Sequence, residues 1–143
     1  MQVCGSPNRV PSLSGNSGGN AFAIIGLRNQ VGGETKFQPQ RFGQIDVLLN
    51  IAGVPGTVDP DVVMRVNVLG LRMLTELLIN RIRQGGSITH VASIAGAQWA
   101  ANLDEVKRLL ETPDYDSGVD WVKDHPMDGK RAYDFSKECV VVM

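Results

Sequence analysis

Apolar residues after Ile45 form two short runs, with a long helical pattern between them. The run IDVLLNIAG is nearly continuous and rich in Ile, Val and Leu, which is typical of a buried parallel strand, and it ends in an Ala-Gly turn. The run GGSITHVAS has the same character, and we expect Gly85 and Gly86 to end the helix before it. Strand, helix and strand predict a right-handed crossover, so the fold class is α/β with a parallel sheet.

The segment between the two runs, DPDVVMRVNVLGLRMLTELLINRI, is predicted to form one helix. Pro60 and Asp61 suit the first turn of that helix. Its apolar residues repeat at helical spacing, and they are Val62, Val66, Leu69, Met73, Leu74, Leu77 and Leu78.

Residues 97–130 have a mostly polar pattern that also predicts helices. NLDEVKRLLE has one apolar helix face, formed by Leu103, Val106, Leu109 and Leu110. SGVDWVKDH is predicted to form another short helix before Pro126. The final segment, GKRAYDFSKECVVVM, is predicted to begin a last helix near Ala132.

The chain changes character near Gln40. Before that residue, Gly, Ser, Asn and Pro are abundant in GSPNRVPSLSGNSGGNAF and again in VGGETKFQPQ, which favours turns over regular structure. The stretch AFAIIGLRNQ between them is predicted to form a short helix. We therefore expect a poorly ordered, glycine-rich segment over residues 1–40 and a domain over residues 41–143.

Composition indicates an ordinary soluble protein. The 143 residues are 43% apolar and 20% charged, with a net charge of -1, which argues for one compact domain and against a nucleic-acid surface. Cys4 and Cys139 share no ligand-like spacing with His90 or His125, so we expect neither a disulfide framework nor a metal site. Cys139 is interpreted as a small buried apolar residue. We see no signal peptide or membrane anchor, so the expected compartment is the cytoplasm.

The stretch RAYDFSK places Tyr133 four residues before Lys137. On a helix this spacing puts the two side chains on the same face, about one turn apart. A lysine ammonium at such a distance lowers the pKa of a phenol, which then exchanges a proton near neutral pH. The pair is either catalytic or two unrelated residues on a solvated helix.

Four short stretches resemble the short-chain dehydrogenase/reductase family. They are NIAG after the first strand, VNVLG in the long helix, HVASIAG at the end of the second strand, and RAYDFSK. NIAG is similar to the family's Asn-Asn-Ala-Gly signature, with Ile51 in place of the second Asn. The resemblance assigns the family's catalytic tetrad, in the family's order, to Asn67, Ser93, Tyr133 and Lys137.

The resemblance implies a role for each member of this tetrad. Tyr133 would act as the general acid/base on an alcohol or ketone, and Lys137 would lower its pKa and bind the nicotinamide ribose. Ser93 would hold the substrate oxygen and stabilise the charge that develops there. Asn67 would fix the water that links Lys137 to solvent.

The same resemblance implies NAD or NADP as the cofactor. Asn50, Ala52 and Gly53 would border its adenosine and ribose side, together with Tyr133 and Lys137 at the nicotinamide end. The stretch SGNSGGNA has Gly15 and Gly19 at the spacing of the family's first two phosphate-loop glycines, so it forms either that loop or an unrelated turn.

The resemblance covers residues 41–143 and implies a partial Rossmann-like, doubly wound parallel sheet that lacks strands at both ends. Ser93 and Tyr133 lie 40 residues apart, so residues 97–130 are interpreted as an insertion. The branch of bacterial coniferyl-alcohol and 3-alpha-hydroxysteroid dehydrogenases shares that departure. The implied substrate is an aromatic or steroid-like alcohol, with coniferyl alcohol as the specific prediction.

Each of these residues also has a purely structural explanation. Asn67 is then a helix residue with a hydrogen-bonded amide, Ser93 a small residue that closes a strand, and Gly53 a turn residue.

A catalytically inactive fragment is the alternative function. Such a chain would act as an interaction module that pairs as a homodimer or tetramer through the helices at about 60–82 and 132–143. Exposure of Val140, Val141 and Val142 would favour that pairing.

Overall fold

A computed structural model describes residues 22–24 and 44–143 and contains a three-stranded parallel sheet in the order β1-β2-β3. The strands are β1 (Phe22–Ile24), β2 (Ile45–Asn50) and β3 (Ile82–His90). The α/β class with parallel strands is therefore confirmed. A doubly wound, Rossmann-like completion of this sheet stays a prediction. Gly15 and Gly19, with most of residues 1–40, lie outside the described residues.

Five α-helices belong to the described residues. They are α1 (Pro60–Met64), α2 (Leu71–Leu78), α3 (Leu103–Leu110), α4 (Tyr115–Asp124) and α5 (Gly129–Val142). A π-helical turn over Arg65–Gly70 joins α1 to α2, and 3₁₀ turns lie at Ile79–Arg81 and Ile94–Gly96. Within these residues, none of the helices has the length and apolar character needed to cross a bilayer.

The helix predicted within AFAIIGLRNQ is wrong at Phe22–Ile24, which is a strand. Its backbone pairs in parallel with residues 47–49 of β2. A short apolar run does not reveal by its periodicity whether it is a strand or a helix. Pairing with a neighbouring strand decides the outcome here, and that pairing is not visible in the local sequence.

The boundary predicted at Gly85 and Gly86 is also wrong, because both residues lie inside β3. The register shifts between Ile45 and Val47, which leaves extra residues on β3. Gly85 has a φ of 80°, a conformation that suits glycine. A Cβ on Gly86 would stand 2.7 Å from the carbonyl oxygen of Asp46. The two glycines therefore make an irregularity within a strand and do not end a helix.

The long helix buries a different set of residues from the one that its helical spacing predicts. Met73 and Leu77 are 37% and 43% exposed, whereas Val63 and Met64 are buried. The π-helical turn accounts for part of this difference, because an i→i+5 turn adds a residue and rotates everything after it relative to α1.

The apolar interior has two parts. Ile45 and Leu48 of β2 pack against Leu74 and Leu78 of α2. A larger cluster joins α1 and the π-helical turn to α3, α4 and α5, with Phe135 at 0% exposure. The predicted helices of the insertion are thus confirmed as α3 and α4, and they share one core with α5.

Helix α5 begins at Gly129, three residues before the predicted start. The Asp128 side chain caps it by accepting a hydrogen bond from the Arg131 amide at 2.7 Å.

Near the other end of α5, Cys139 is fully buried, as predicted, and burial raises the pKa of its thiol. The exposure that would favour pairing is found at Val141, which is 42% exposed, but not at Val140, of which only 5% is accessible. Val140 ends a run of six buried residues on α5 that begins at Phe135.

A buried arginine, which the sequence pattern does not indicate, attaches residues 109–112 to α2. Arg72 is 6% exposed and donates to the carbonyls of Leu109 and Leu110 at 3.2 and 3.1 Å. It also donates to the hydroxyl and the carbonyl of Thr112 at 2.9 and 3.0 Å. The guanidinium thus supplies donors to carbonyls at and just after the end of α3, where helix carbonyls lack the partners that a further turn would provide.

Replacement of this arginine should loosen the insertion. We expect Arg72→Met to lower the free energy of unfolding by roughly 2–4 kcal/mol, because it removes the guanidinium donor from the part-buried carbonyls of Leu110 and Thr112. Urea denaturation followed by circular dichroism measures the change. The matched control is Arg108→Met on the exposed side of α3, which should stay within about 0.5 kcal/mol of the original chain. Equal effects of the two substitutions would contradict the anchoring role.

Candidate active site

Two segments meet α5 at the carboxyl ends of the parallel strands. Residues 51–56 follow β2, residues 91–96 follow β3, and both contact the turn of α5 that ends at Lys137. In open α/β sheets, ligands bind in the crevice outside the carboxyl ends of the strands. This edge is therefore the candidate active site.

Tyr133 and Lys137 lie one turn apart on α5, and the Lys137 Nζ is 5.8 Å from the centroid of the Tyr133 ring. The structure thus brings the two side chains to one face of a helix. Lys137 is only 9% exposed, and its amine donates to the carbonyl of Val91 at 3.0 Å. Desolvation lowers the pKa of this lysine, because burial disfavours the ammonium form. Tyr133 is half-buried and packs against the larger core cluster.

Asn67 lies in the π-helical turn and is 2% exposed. Its Oδ1 accepts from the Val54 amide at 2.8 Å, and its Nδ2 donates to the Val54 carbonyl at 3.0 Å. The same Nδ2 donates to the Ser136 hydroxyl at 3.2 Å. The side chain therefore holds the loop after β2 and attaches it to α5. The polar residue in the apolar stretch VNVLG is fully used, as the hydrogen-bonded explanation requires.

The loop after β2 passes very close to these groups. A Cβ on Gly53 would stand 3.2 Å from Asn67 Oδ1 and 3.9 Å from Lys137 Nζ. A Cβ on Gly56 would stand 2.9 Å from the Cβ of Tyr133 and 2.7 Å from a backbone oxygen. Only a bare backbone fits at Gly56 without movement of its neighbours. Ala52 and Gly53 are exposed at this edge, where the sequence predicts the cofactor.

Ser93 lies on the segment after β3. Its Oγ accepts from the Ala95 amide at 3.2 Å and caps the 3₁₀ turn that follows. That turn packs against α5, because a Cβ on Gly96 would stand 2.6 Å from the Lys137 carbonyl oxygen. Ser93 is half-buried and belongs to the segment that surrounds Lys137. Its predicted role toward a substrate oxygen stays a prediction.

The Asn50 side chain points toward α2 and β3. It is 6% exposed, and its Nδ2 donates to the Thr75 hydroxyl at 2.9 Å and lies 3.1 Å from His90 Nδ1. Its Oδ1 has no hydrogen-bond partner among the described residues. Burial lowers the pKa of His90, which suits its structural interpretation. The contribution of Asn50 to a cofactor site stays a prediction.

One cleft in the described part of the chain lies apart from the predicted tetrad. It has a volume of about 460 Å³ and lies between the start of α1 and the end of α4, with Asp59, Arg65, His125 and Met127 among its lining residues. Ala132 borders it and is the neighbour of Tyr133 in the sequence. A smaller cleft of about 280 Å³ lies beside Thr75 and His90.

Three groups at the site were not predicted from the sequence. They are the Val91 carbonyl, the buried Ser136 and the close contact at Gly96. Ser136 had a detectable signal, because it is a small polar residue directly before Lys137 in RAYDFSK. The Val91 carbonyl had none, since a backbone acceptor does not depend on the side chain.

Comparison with known proteins gives one informative relative. A curated coniferyl-alcohol dehydrogenase from Pseudomonas sp. (strain HR199 / DSM 7063) is 46% identical to this chain over 140 residues. The match covers 98% of this chain and 53% of the relative, so the chain spans about half the length of the curated relative it matches. No family model matches the chain. No solved structure matches it.

The buried amine of Lys137 should make stability depend on pH. Its folded pKa is lowered from 10.5, so the native state loses this proton before the unfolded state does. The burial penalty is present below the lowered pKa and disappears as the pH rises toward the ordinary value, so stability rises across that window. We expect Lys137→Met to increase the free energy of unfolding at about pH 7, with the gain shrinking by about pH 10.

Urea denaturation of both chains at the two pH values measures this effect. The matched control is Lys130→Met, which removes an exposed lysine from the same helix and should give no pH-dependent difference. A gain for Lys137→Met that does not change with pH would contradict the desolvation argument.

Proposed function

We propose that this chain forms the catalytic middle of an NAD- or NADP-dependent oxidoreductase of the short-chain dehydrogenase/reductase type. The observation that carries this proposal is the Tyr133–Lys137 pair on one helix face, with the lysine amine buried at the carboxyl edge of a parallel sheet. The similarity to a coniferyl-alcohol dehydrogenase supports the same reaction class.

In this proposal Tyr133 removes the proton from the substrate hydroxyl during oxidation and returns it during reduction. Lys137 lies beside the ring, with its amine 5.8 Å from the ring centroid. Ser93, on the segment that surrounds Lys137, donates to the substrate oxygen and stabilises the charge that develops on it. Asn67 holds the loop after β2 against α5, which fixes the position of that loop beside Tyr133 and Lys137.

The residues present fit the nicotinamide end of a dinucleotide. The bare backbone at Gly53 leaves space beside the Lys137 amine, and Ala52 is exposed at the same edge. Tyr133 and Lys137 would hold the ribose, and Asn50, Ala52 and Gly53 would border the rest. NAD or NADP, when bound, supplies the hydride acceptor. The candidate phosphate loop at Gly15 and Gly19 lies outside the described residues.

The proposed substrate is an aromatic or steroid-like alcohol, and coniferyl alcohol is the specific proposal. The apolar side chains at the carboxyl edge support this class, because Ile94 is 90% exposed and Ile51 is 54% exposed beside the site. An aromatic ring would cover such side chains on binding.

The second candidate is an inactive interaction module. Exposed Met73, Leu77 and Val141 favour it, since they leave apolar surface on α2 and α5. Burial of Val140 weakens it, because that residue is needed on the pairing surface. Sedimentation over a range of concentrations tests it, and a monomer throughout would exclude pairing.

The proposed activity predicts that Tyr133→Phe keeps cofactor binding and loses the rate. We expect calorimetry to detect NAD or NADP binding to both chains. The rate of coniferyl alcohol oxidation should fall by at least about 100-fold, because the proton acceptor is gone.

The matched control is Tyr115→Phe, which removes the other tyrosine of the chain and should leave the rate nearly unchanged. A folded chain that binds neither cofactor would overturn the proposed function. An unchanged rate in Tyr133→Phe would overturn the role of that residue alone.

A further inference from the structure

We propose that Ser136 is a positioning residue of the candidate site, acting as a hydrogen-bond relay between the Asn67 side chain and the Tyr133 backbone. Its catalytic meaning rests on the proposed function. Ser136 is 0% exposed and lies on α5 directly before Lys137. Its hydroxyl donates to the Tyr133 carbonyl at 2.7 Å and accepts from Asn67 Nδ2 at 3.2 Å.

The direction of these bonds makes the relay specific. A serine hydroxyl has one proton, and that proton points to the Tyr133 carbonyl, so an oxygen lone pair is left for the Asn67 amide. The second amide proton of Asn67 goes to the Val54 carbonyl, and Oδ1 accepts from the Val54 amide. A continuous set of bonds therefore runs from the loop after β2, through Asn67 and Ser136, to the peptide of Tyr133.

The relay fixes the loop relative to the two predicted catalytic side chains. Gly53 precedes Val54 and lies close to the Lys137 amine, where a Cβ would be 3.9 Å from Nζ. Loss of the Ser136 hydroxyl leaves one N–H of the buried Asn67 amide without an acceptor, so the amide must turn or the loop must move. A displacement of about 1 Å is enough to lower a catalytic rate substantially.

Amide hydrogen exchange tests the relay without any assay of activity. In Ser136→Ala we expect the Val54 amide to exchange at least about tenfold faster, while the slowest core amides of α5 change much less. Ser136→Cys, with a similar shape and a weak donor, should give an intermediate rate. Ser117→Ala on α4 is the matched control and should leave Val54 unchanged.

Two outcomes would overturn the proposal. One is unchanged exchange at Val54 in a folded Ser136→Ala chain. The other is a uniform acceleration of all slow amides in proportion to the lost global stability, which marks a merely structural residue. If Ser136→Ala does not fold, the same criteria apply to Ser136→Cys.

Kinetics separate this proposal from the proposed function. If the chain oxidises coniferyl alcohol, Ser136→Ala should lower kcat about tenfold and leave KM within about twofold, because positioning acts in the transition state. A rise in KM of about tenfold with no change in kcat would contradict the positioning role. If the unsubstituted chain binds no cofactor, the proposed function fails, and the exchange of Val54 still decides whether the relay exists.

Discussion

The side-chain amide of Asn67 is the interaction on which the candidate site depends. The loop after β2 leaves the sheet and runs beside α5, where it loses the ladder partners that a strand supplies. Asn67 replaces them at Val54 by offering an acceptor and a donor to the same residue. Its remaining N–H reaches Ser136, so one buried amide joins the loop to the helix of the Tyr–Lys pair. An unpaired buried amide costs about 1–3 kcal/mol per group, which explains why such a residue is stable here only with all these bonds in place.

Helix α5 is held from the opposite side by a second set of buried polar contacts. Glu138 is 1% exposed and accepts from Arg131 and from Asn102, each at 3.0 Å. Arg131 also reaches Glu105 on α3 at 3.2 Å. The start of α3 is thereby attached to α5, while Arg72 binds the end of α3. Helix α3 is thus fixed at both of its ends, and it shares one apolar core with α4 and α5.

The sequence predicts the elements well where local patterns decide them, and poorly where distant contacts do. The two strands, the insertion helices and the placement of Tyr133 and Lys137 follow from periodicity and spacing. The strand at Phe22–Ile24 depends on pairing with β2, and the start of β3 depends on a register shift, so neither is visible in the local sequence. The predicted site residues are found from side-chain motifs, and the roles expected of them come from the family resemblance. The clamp on Val54 and the acceptor at Val91 use backbone groups, whose partners depend on the tertiary structure alone.

The exposed side chains at the carboxyl edge indicate what the described residues still need for chemistry. Every residue of β3 is at least partly accessible, although parallel strands are commonly covered on both faces. Ile94 and Val91 are 90% and 45% exposed at the end of this strand, next to the carbonyl that binds the Lys137 amine. Lys137 itself is only 9% exposed, but the segment that covers its amine is open to water, and nearby solvent raises the effective dielectric constant. A strong Tyr–Lys pair therefore requires a cover over this edge. In the proposed function, the planar rings of a bound dinucleotide and of an aromatic substrate would cover this edge, so ligand binding itself would complete the low-dielectric environment around Tyr133 and Lys137.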